Sequence, residues 1–171
     1  AGDELGALKN EGKGLIRNFA IELKGELVSA MKSGGPVNAI GVCNVRAPQI
    51  ADSVSQAPGW TVARSSHKLR NPANAADGFT ATAIADFLTR QANGEKPDTL
   101  TKAQIIEENG GRVFRLVKAI PTGEVCLACH GAQSVKPQVE AALKEHYPDD
   151  MARGFKLGEM RGVFTLKKVL N

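Results

Sequence analysis

A mixed helix-and-strand domain, with helices first and a small antiparallel sheet later, is what this sequence of 171 residues predicts, and three patterns carry the prediction. Apolar residues recur at steps of three or four from Asp3 to Ser33. Two strand-like runs flank Asn109-Gly110-Gly111, and a glycine-punctuated closing segment carries an apolar centre at Val163-Phe164-Thr165-Leu166. The class is α/β in the broad sense and α+β in the strict one, since helices and strands segregate along the chain. Without repeats, low-complexity tracts or an interdomain linker, residues 1–171 form a single expected domain.

In the first segment Leu5, Leu8, Leu15, Phe19, Leu23, Leu27 and Met31 mark one face of a long helix, assigned to residues 1–33. Gly6, Gly12, Gly14 and Gly25 each cost it about 1 kcal/mol relative to alanine, so the helix needs a surface to lean on. That surface is its own domain or a second copy of the chain, which makes the helix a candidate dimer element. Gly34-Gly35-Pro36 ends it, with Pro36 placed to open the next helix, where Ile40, Cys43 and Ala47 share a face. Pro48 is expected to restart the chain into a third helical piece bearing Ile50 and Val54.

Ala57-Pro58-Gly59 reads as a turn and Trp60-Thr61-Val62-Ala63 as the first strand. His67 to Gly78 is a polar loop, in which Asn71 and Asn74 brace the backbone through local hydrogen bonds. Asp77 is positioned to cap a helix that buries Phe79, Ala83, Phe87 and Leu88. Lys102 to Glu107 and Arg112 to Ile120 form a hairpin whose second strand turns Phe114, Leu116 and Ile120 to one face. Pro137 opens a helix through Val139, Ala142 and Leu143 that stops at Pro148.

Composition excludes several functions. Hydrophobic residues at 42% and charged ones at 23% describe a globular chain, and no apolar run reaches the length of a membrane span. The net charge of +4 is spread with acids between the bases, and aromatics are only 5%, so neither an electrostatic stripe nor a stacking platform for nucleic acid exists. The opening Ala1-Gly2-Asp3-Glu4 has no signal-peptide character, which is read as an export signal already removed from a periplasmic protein.

The chemistry lies in Cys126-Leu127-Ala128-Cys129-His130. Two thiols about one helical turn apart reach the two vinyl groups of one porphyrin, and the following imidazole meets the iron, so the motif predicts one covalently attached haem c per chain. A zinc site needs two further ligands at short spacing, and Cys43, His67 and His146 are scattered far along the chain. A redox dithiol would open a helix after a buried strand, whereas Ile120-Pro121-Thr122-Gly123 reads as a turn. Haem takes two of the three cysteines, and Cys43 is left without an intramolecular disulfide partner. From spacing alone Cys43 is a small buried hydrophobe. Arg64 and Arg70 are candidate partners of the haem propionates, because a guanidinium fork matches a carboxylate in a bidentate way.

Several stretches together resemble the single-haem c-type domains with a PAS-like fold, found as free periplasmic proteins and as extracytoplasmic sensor parts of bacterial signalling proteins. They are Ala39-Ile40-Gly41-Val42-Cys43 with Ala47-Pro48, Arg64-Ser65-Ser66 to Arg70-Asn71-Pro72-Ala73-Asn74, Cys126 to Gly131, and Gly154 to Gly162. The resemblance covers most of the chain from Pro36 onward. It implies a PAS-like antiparallel sheet with flanking helices, a homodimer, and an iron held between His130 and the thiolate of Cys43. Met31, Met151, Met160, His67 and His146 are the rivals of Cys43 for the sixth position.

Two functions follow as expectations. One is low-potential electron transfer or redox response with an unidentified protein partner, since a thiolate ligand stabilises the oxidised iron. The other is sensing, in which reduction loosens Cys43 and admits NO or CO. No distal acid or base is identifiable, so an enzyme is not expected.

Overall fold

The structure, a computed structural model, describes residues 2–171. Helix α1 runs over Gly2–Val54 but is broken at Gly35, whose φ of 73° and ψ of −169° only glycine adopts without strain. Arg46 meets Glu26, 20 residues earlier, at 3.1 Å, and Glu22 at 3.9 Å. A straight helix would hold residues 20 apart at about 30 Å, so the two arms of α1 fold back antiparallel as a hairpin around Gly35. The break falls where Gly34-Gly35-Pro36 placed it.

Pro48 does not restart the chain as expected; helical geometry continues through it to Val54. Pro48 is accessible on the side of α1 that borders the cleft and lacks the amide for a bond to the Asn44 carbonyl, while buried Ala47 and Ile50 pin the flanking turns to the core.

Strands β1 (Trp60–Ser65), β2 (Thr101–Glu108), β3 (Gly111–Pro121) and β4 (Met160–Val169) form one antiparallel sheet in the order β1-β4-β3-β2. Asn109 at φ 54° and Gly110 at φ 78° make the β2–β3 turn. Alternation along β3 serves two cores. Phe114 and Leu116 face α1, with Ile120 packed against them, as predicted; Val117 and Ala119 face helix α2 (Gly78–Ala92). The fold is thus an antiparallel sheet between flanking helices with a long N-terminal helix, as expected.

α1 uses its stripe on its own sheet. Leu8, Ile16 and Phe19 pack with Trp60, Phe114, Leu116, Phe164 and Leu166. Each fully buried side chain contributes about 1.5–3 kcal/mol, which outweighs the glycine cost along the arm. Gly12 is where the two layers touch: a Cβ there would lie 2.6 Å from Leu116 Cδ2 and 3.2 Å from Trp60 Cη2. Beside it Glu11 accepts from Trp60 Nε1 at 2.7 Å and from Lys168 Nζ at 3.0 Å, and both bonds hold its carboxyl below the usual range.

On the far face, Asp77 caps α2 through the Thr80 amide at 2.9 Å, as predicted, and also takes the buried Arg115 guanidinium at 2.8 Å. Helix α4 (Pro137–His146) closes a third cluster, packing Val139, Ala142 and Leu143 on Ile40 of the second α1 arm.

The Gly12 contact generates a prediction. Gly12→Ala should lower the unfolding free energy by about 1–3 kcal/mol through overpacking. Gly6→Ala, with nothing within 4 Å of its Cβ, should raise it by about 0.4–1 kcal/mol. Urea unfolding of both variants checks the pair, and a Gly12→Ala protein as stable as the parent would contradict the packing.

Candidate cofactor cleft

The second α1 arm, the ends of β1 and β4, the loop Lys68–Asn74 and the turn carrying the Cys-x-x-Cys-His motif converge on a cleft of about 450 Å³. That volume lies in the range of small-molecule sites. Cys43, Cys126, Cys129, His130, Arg64, Arg70 and Arg161 all line it, with apolar walls that include Leu23, Leu27, Ile40 and Val62.

The motif sits on a 3-10 turn, Glu124–Cys126, and a single α turn, α3 (Leu127–His130). A lone turn has little stability of its own, so its position is set by what receives its carbonyls. The Leu127 carbonyl accepts from the Gly131 amide at 3.0 Å, and a Cβ on Gly131 would meet that same oxygen at 2.6 Å. The His130 and Gly131 carbonyls accept from the amides of Phe155 and Gly154 at 3.0 and 3.1 Å. The Cys129 carbonyl accepts from Arg70 Nη2 at 2.7 Å.

His130 Nδ1 lies 2.9 Å from the Ala152 carbonyl. A carbonyl only accepts, so Nδ1 carries the proton and Nε2 is left with the lone pair. Burial, then the charges of Arg161, Arg70 and Arg64, hold the imidazole pKa well below its ordinary value, and the ring is neutral. A neutral imidazole with Nδ1 anchored leaves the Nε2 lone pair free to bind a metal.

Cys43 reaches the cleft from the second α1 arm. Burial pushes its thiol pKa up, against the pull of Arg64. None of its rivals lines the cleft. Met160 is fully buried in the α2 core on the other side of the sheet, Met151 is 65% exposed, and Met31, His67 and His146 lie outside the lining. His67 instead stacks edge-on against Phe155 at 5.8 Å, and Phe155 in turn against His130 at 6.1 Å.

The arginines divide in two. Arg70 is committed to protein: it donates to both carboxylate oxygens of Asp150 at 3.1 and 3.3 Å, to the Cys129 carbonyl, and to the Ala152 carbonyl at 3.1 Å. Asp150 also accepts from the Ala152 amide at 2.9 Å. Arg70 therefore braces the histidine turn. Arg64 rests over the Phe19 ring at 5.4 Å and has no carboxylate partner among the described residues. Arg161 has neither a carboxylate partner nor a side-chain hydrogen bond among the described residues, and burial beside Arg64 pushes its pKa down to about 10. Sequence reasoning missed Arg161; the available signal was a charge set between Met160 and Gly162 at the start of an apolar strand. In the loop, Asn71 accepts from the Ala73 amide as predicted, while Asn74 contributes its main-chain carbonyl to Ser65 at 2.7 Å.

These residues fit a haem. The thiols of Cys126 and Cys129 are free of disulfides, the His130 ring is oriented by Ala152, apolar side chains line the walls, and Arg64 and Arg161 have no carboxylate partner among the described residues. Gly162, a lining residue, leaves the strand flat there; a Cβ would meet the Ser65 carbonyl at 2.5 Å.

The brace is testable. Arg70 and Asp150 side chains are 15% and 9% exposed, so Arg70→Met, which strands the buried carboxylate, should cost roughly 3–5 kcal/mol of unfolding free energy. A double-mutant cycle with Asp150→Asn, read by urea unfolding, should return a coupling of about 0.5–3 kcal/mol; strict additivity would contradict the shared network.

No curated protein matches the chain. Among solved structures, the crystal structure of the cyanobacterial haem protein Tll0287 superposes with a TM-score of 0.68 at 24% identity, over 100% of this chain and 98% of that one. At that identity the match speaks for the fold. A family model described as Tll0287-like spans residues 7–168, nearly the whole chain from the first α1 arm to the end of β4, and by that match the protein belongs to the Tll0287-like family.

Proposed function

We propose that this is a c-type haem protein of the periplasm, with one haem bound covalently through Cys126 and Cys129, His130 and Cys43 as axial ligands, and low-potential electron transfer or redox response as its work. One observation carries the reading: Cys126, Cys129, His130 and Cys43 open onto a single cleft. It gains support from Tll0287, which shares the fold and is a haem protein.

Haem, when bound, supplies one-electron chemistry at its iron. The chain supplies everything that tunes it. His130 offers Nε2 because Ala152 holds Nδ1. Cys43 would offer a soft sulfur from the second α1 arm; burial raises its thiol pKa, and bonding to a metal cation would favour the thiolate. An anionic sulfur lowers the reduction potential relative to a His/Met pair. With both axial positions filled, the chain moves electrons without turnover of a substrate, and no enzymatic role is proposed.

A sensor reading has one observation in its favour. Cys43 sits on the α1 arm that follows the break at Gly35, so release of the sulfur would change what that arm contacts at the cleft. The same arm exposes Val37 and Val45, 41% and 57% accessible, with Ile21 at 65% on the first arm. We assign this stripe to a second copy of the chain, and a single-chain mass in sedimentation at micromolar concentration would remove that assignment.

Coexpression with a haem c maturation system tests the main reading. The native chain should retain haem on a denaturing gel and add the mass of one haem, and Cys126→Ala with Cys129→Ala should lose both signals. A native chain without covalent haem would overturn it. Carbon monoxide then separates the two roles. An unchanged absorption spectrum of the reduced protein supports the carrier, and a shifted one the sensor.

A further inference from the structure

Two cations line the same cleft and have no carboxylate partner among the described residues. Arg64 is on β1 and Arg161 at the start of β4, on neighbouring antiparallel strands joined there by the bond from Ser66 Oγ to the Arg161 carbonyl at 2.7 Å. Elsewhere in the chain a buried or half-buried guanidinium meets a carboxylate: Arg70 with Asp150, Arg115 with Asp77, Arg153 with Glu140. Like charges placed together in a low-dielectric wall repel, and each lowers the stability of the other. Such an arrangement persists in a folded protein when an anion completes it. Two forks with free donors specify an anion with two carboxylates, one for each.

We propose that Arg64 and Arg161, and not Arg70, receive the two haem propionates. The inference rests on the haem reading above and revises which arginines serve it. Arg70 has Nε and Nη2 engaged by Asp150, Cys129 and Ala152, its charge is paired with the Asp150 carboxylate, and it acts as a positioning residue for the His130 turn. Arg64 is held in place by the Phe19 ring beneath it. Arg161 leaves its β4 neighbours Met160 and Val163 in the opposite core and turns its fork into the cleft.

The experiment uses haem-loaded native protein, Arg161→Gln, Arg161→Lys, Arg64→Gln and Arg70→Gln. Haem content by pyridine haemochrome comes first: a native chain without haem defeats the haem reading itself, independently of the arginines. In loaded native protein the midpoint potential should be flat between about pH 5 and pH 8, because paired carboxylates stay ionised across that range. In Arg161→Gln and Arg64→Gln a propionate pKa rises into the window. The potential then falls as pH increases, since the ionised carboxylate favours oxidised iron, and the propionate bending bands in resonance Raman shift. Arg161→Lys should restore the flat profile. Arg70→Gln should lose stability and keep both the profile and the bands. The proposal is overturned if the two glutamine variants match the native profile and bands, or if Arg70→Gln alone alters them. Should a glutamine variant load no haem, isotope-edited infrared spectra of native protein labelled at the propionate carboxylates decide: ion-paired carboxylate frequencies support the assignment, and water-exposed ones overturn it.

Discussion

The hydrogen bond from His130 Nδ1 to the Ala152 carbonyl is partly buried and one-directional, and most of the site depends on it. It chooses the tautomer, and with the tautomer it chooses which nitrogen is free for a metal. The bond in turn needs the segment 150–155 to lie against a helical turn too short to stand alone. Arg70 and Asp150 hold that segment from one side, and the main-chain bonds of Gly154 and Phe155 from the other. The Cys-x-x-Cys-His motif is therefore placed by a loop that lies beyond α4 in the chain.

Cys43 obeys a different constraint. It is carried on a helix arm whose direction is set by Gly35 and whose inner face is held to the sheet through Ile50 and to α4 through Ile40. The two sides of the cleft meet in one packing cluster, where Cys129 of the motif lies against Ile40 of that arm and Val139, Ala142 and Leu143 of α4.

Legibility in the sequence followed the range of the interaction. Local signals were readable: the Asp77 cap, the Asn109-Gly110 turn, the Gly34-Gly35-Pro36 break and the Cys-x-x-Cys-His spacing each act within a few residues. The α1 stripe was readable as a face but not as a destination, and Gly12, counted as a weakness in a helix, proved to be the contact with Leu116 and Trp60. Pro48 misled because the cost of its missing amide is offset by the packing of Ala47 and Ile50 on either side, and that packing is tertiary. Arg70 was visible as a cation near the motif; that Asp150 would claim its fork, eighty residues later, was not. Arg161 was hidden for the same reason, since an unpartnered charge is recognisable only once all possible partners are in place.

Everything proposed for the cleft turns on the pairing of His130 with Cys43 across it. The most direct measurement is the absorption and EPR spectrum of the oxidised holoprotein, native against Cys43→Ala. The pairing predicts a low-spin, thiolate-type spectrum in the native protein that the substitution abolishes while covalent haem is retained. Identical spectra from the two proteins would contradict it, and would leave Cys43 as packing in the wall of the cleft.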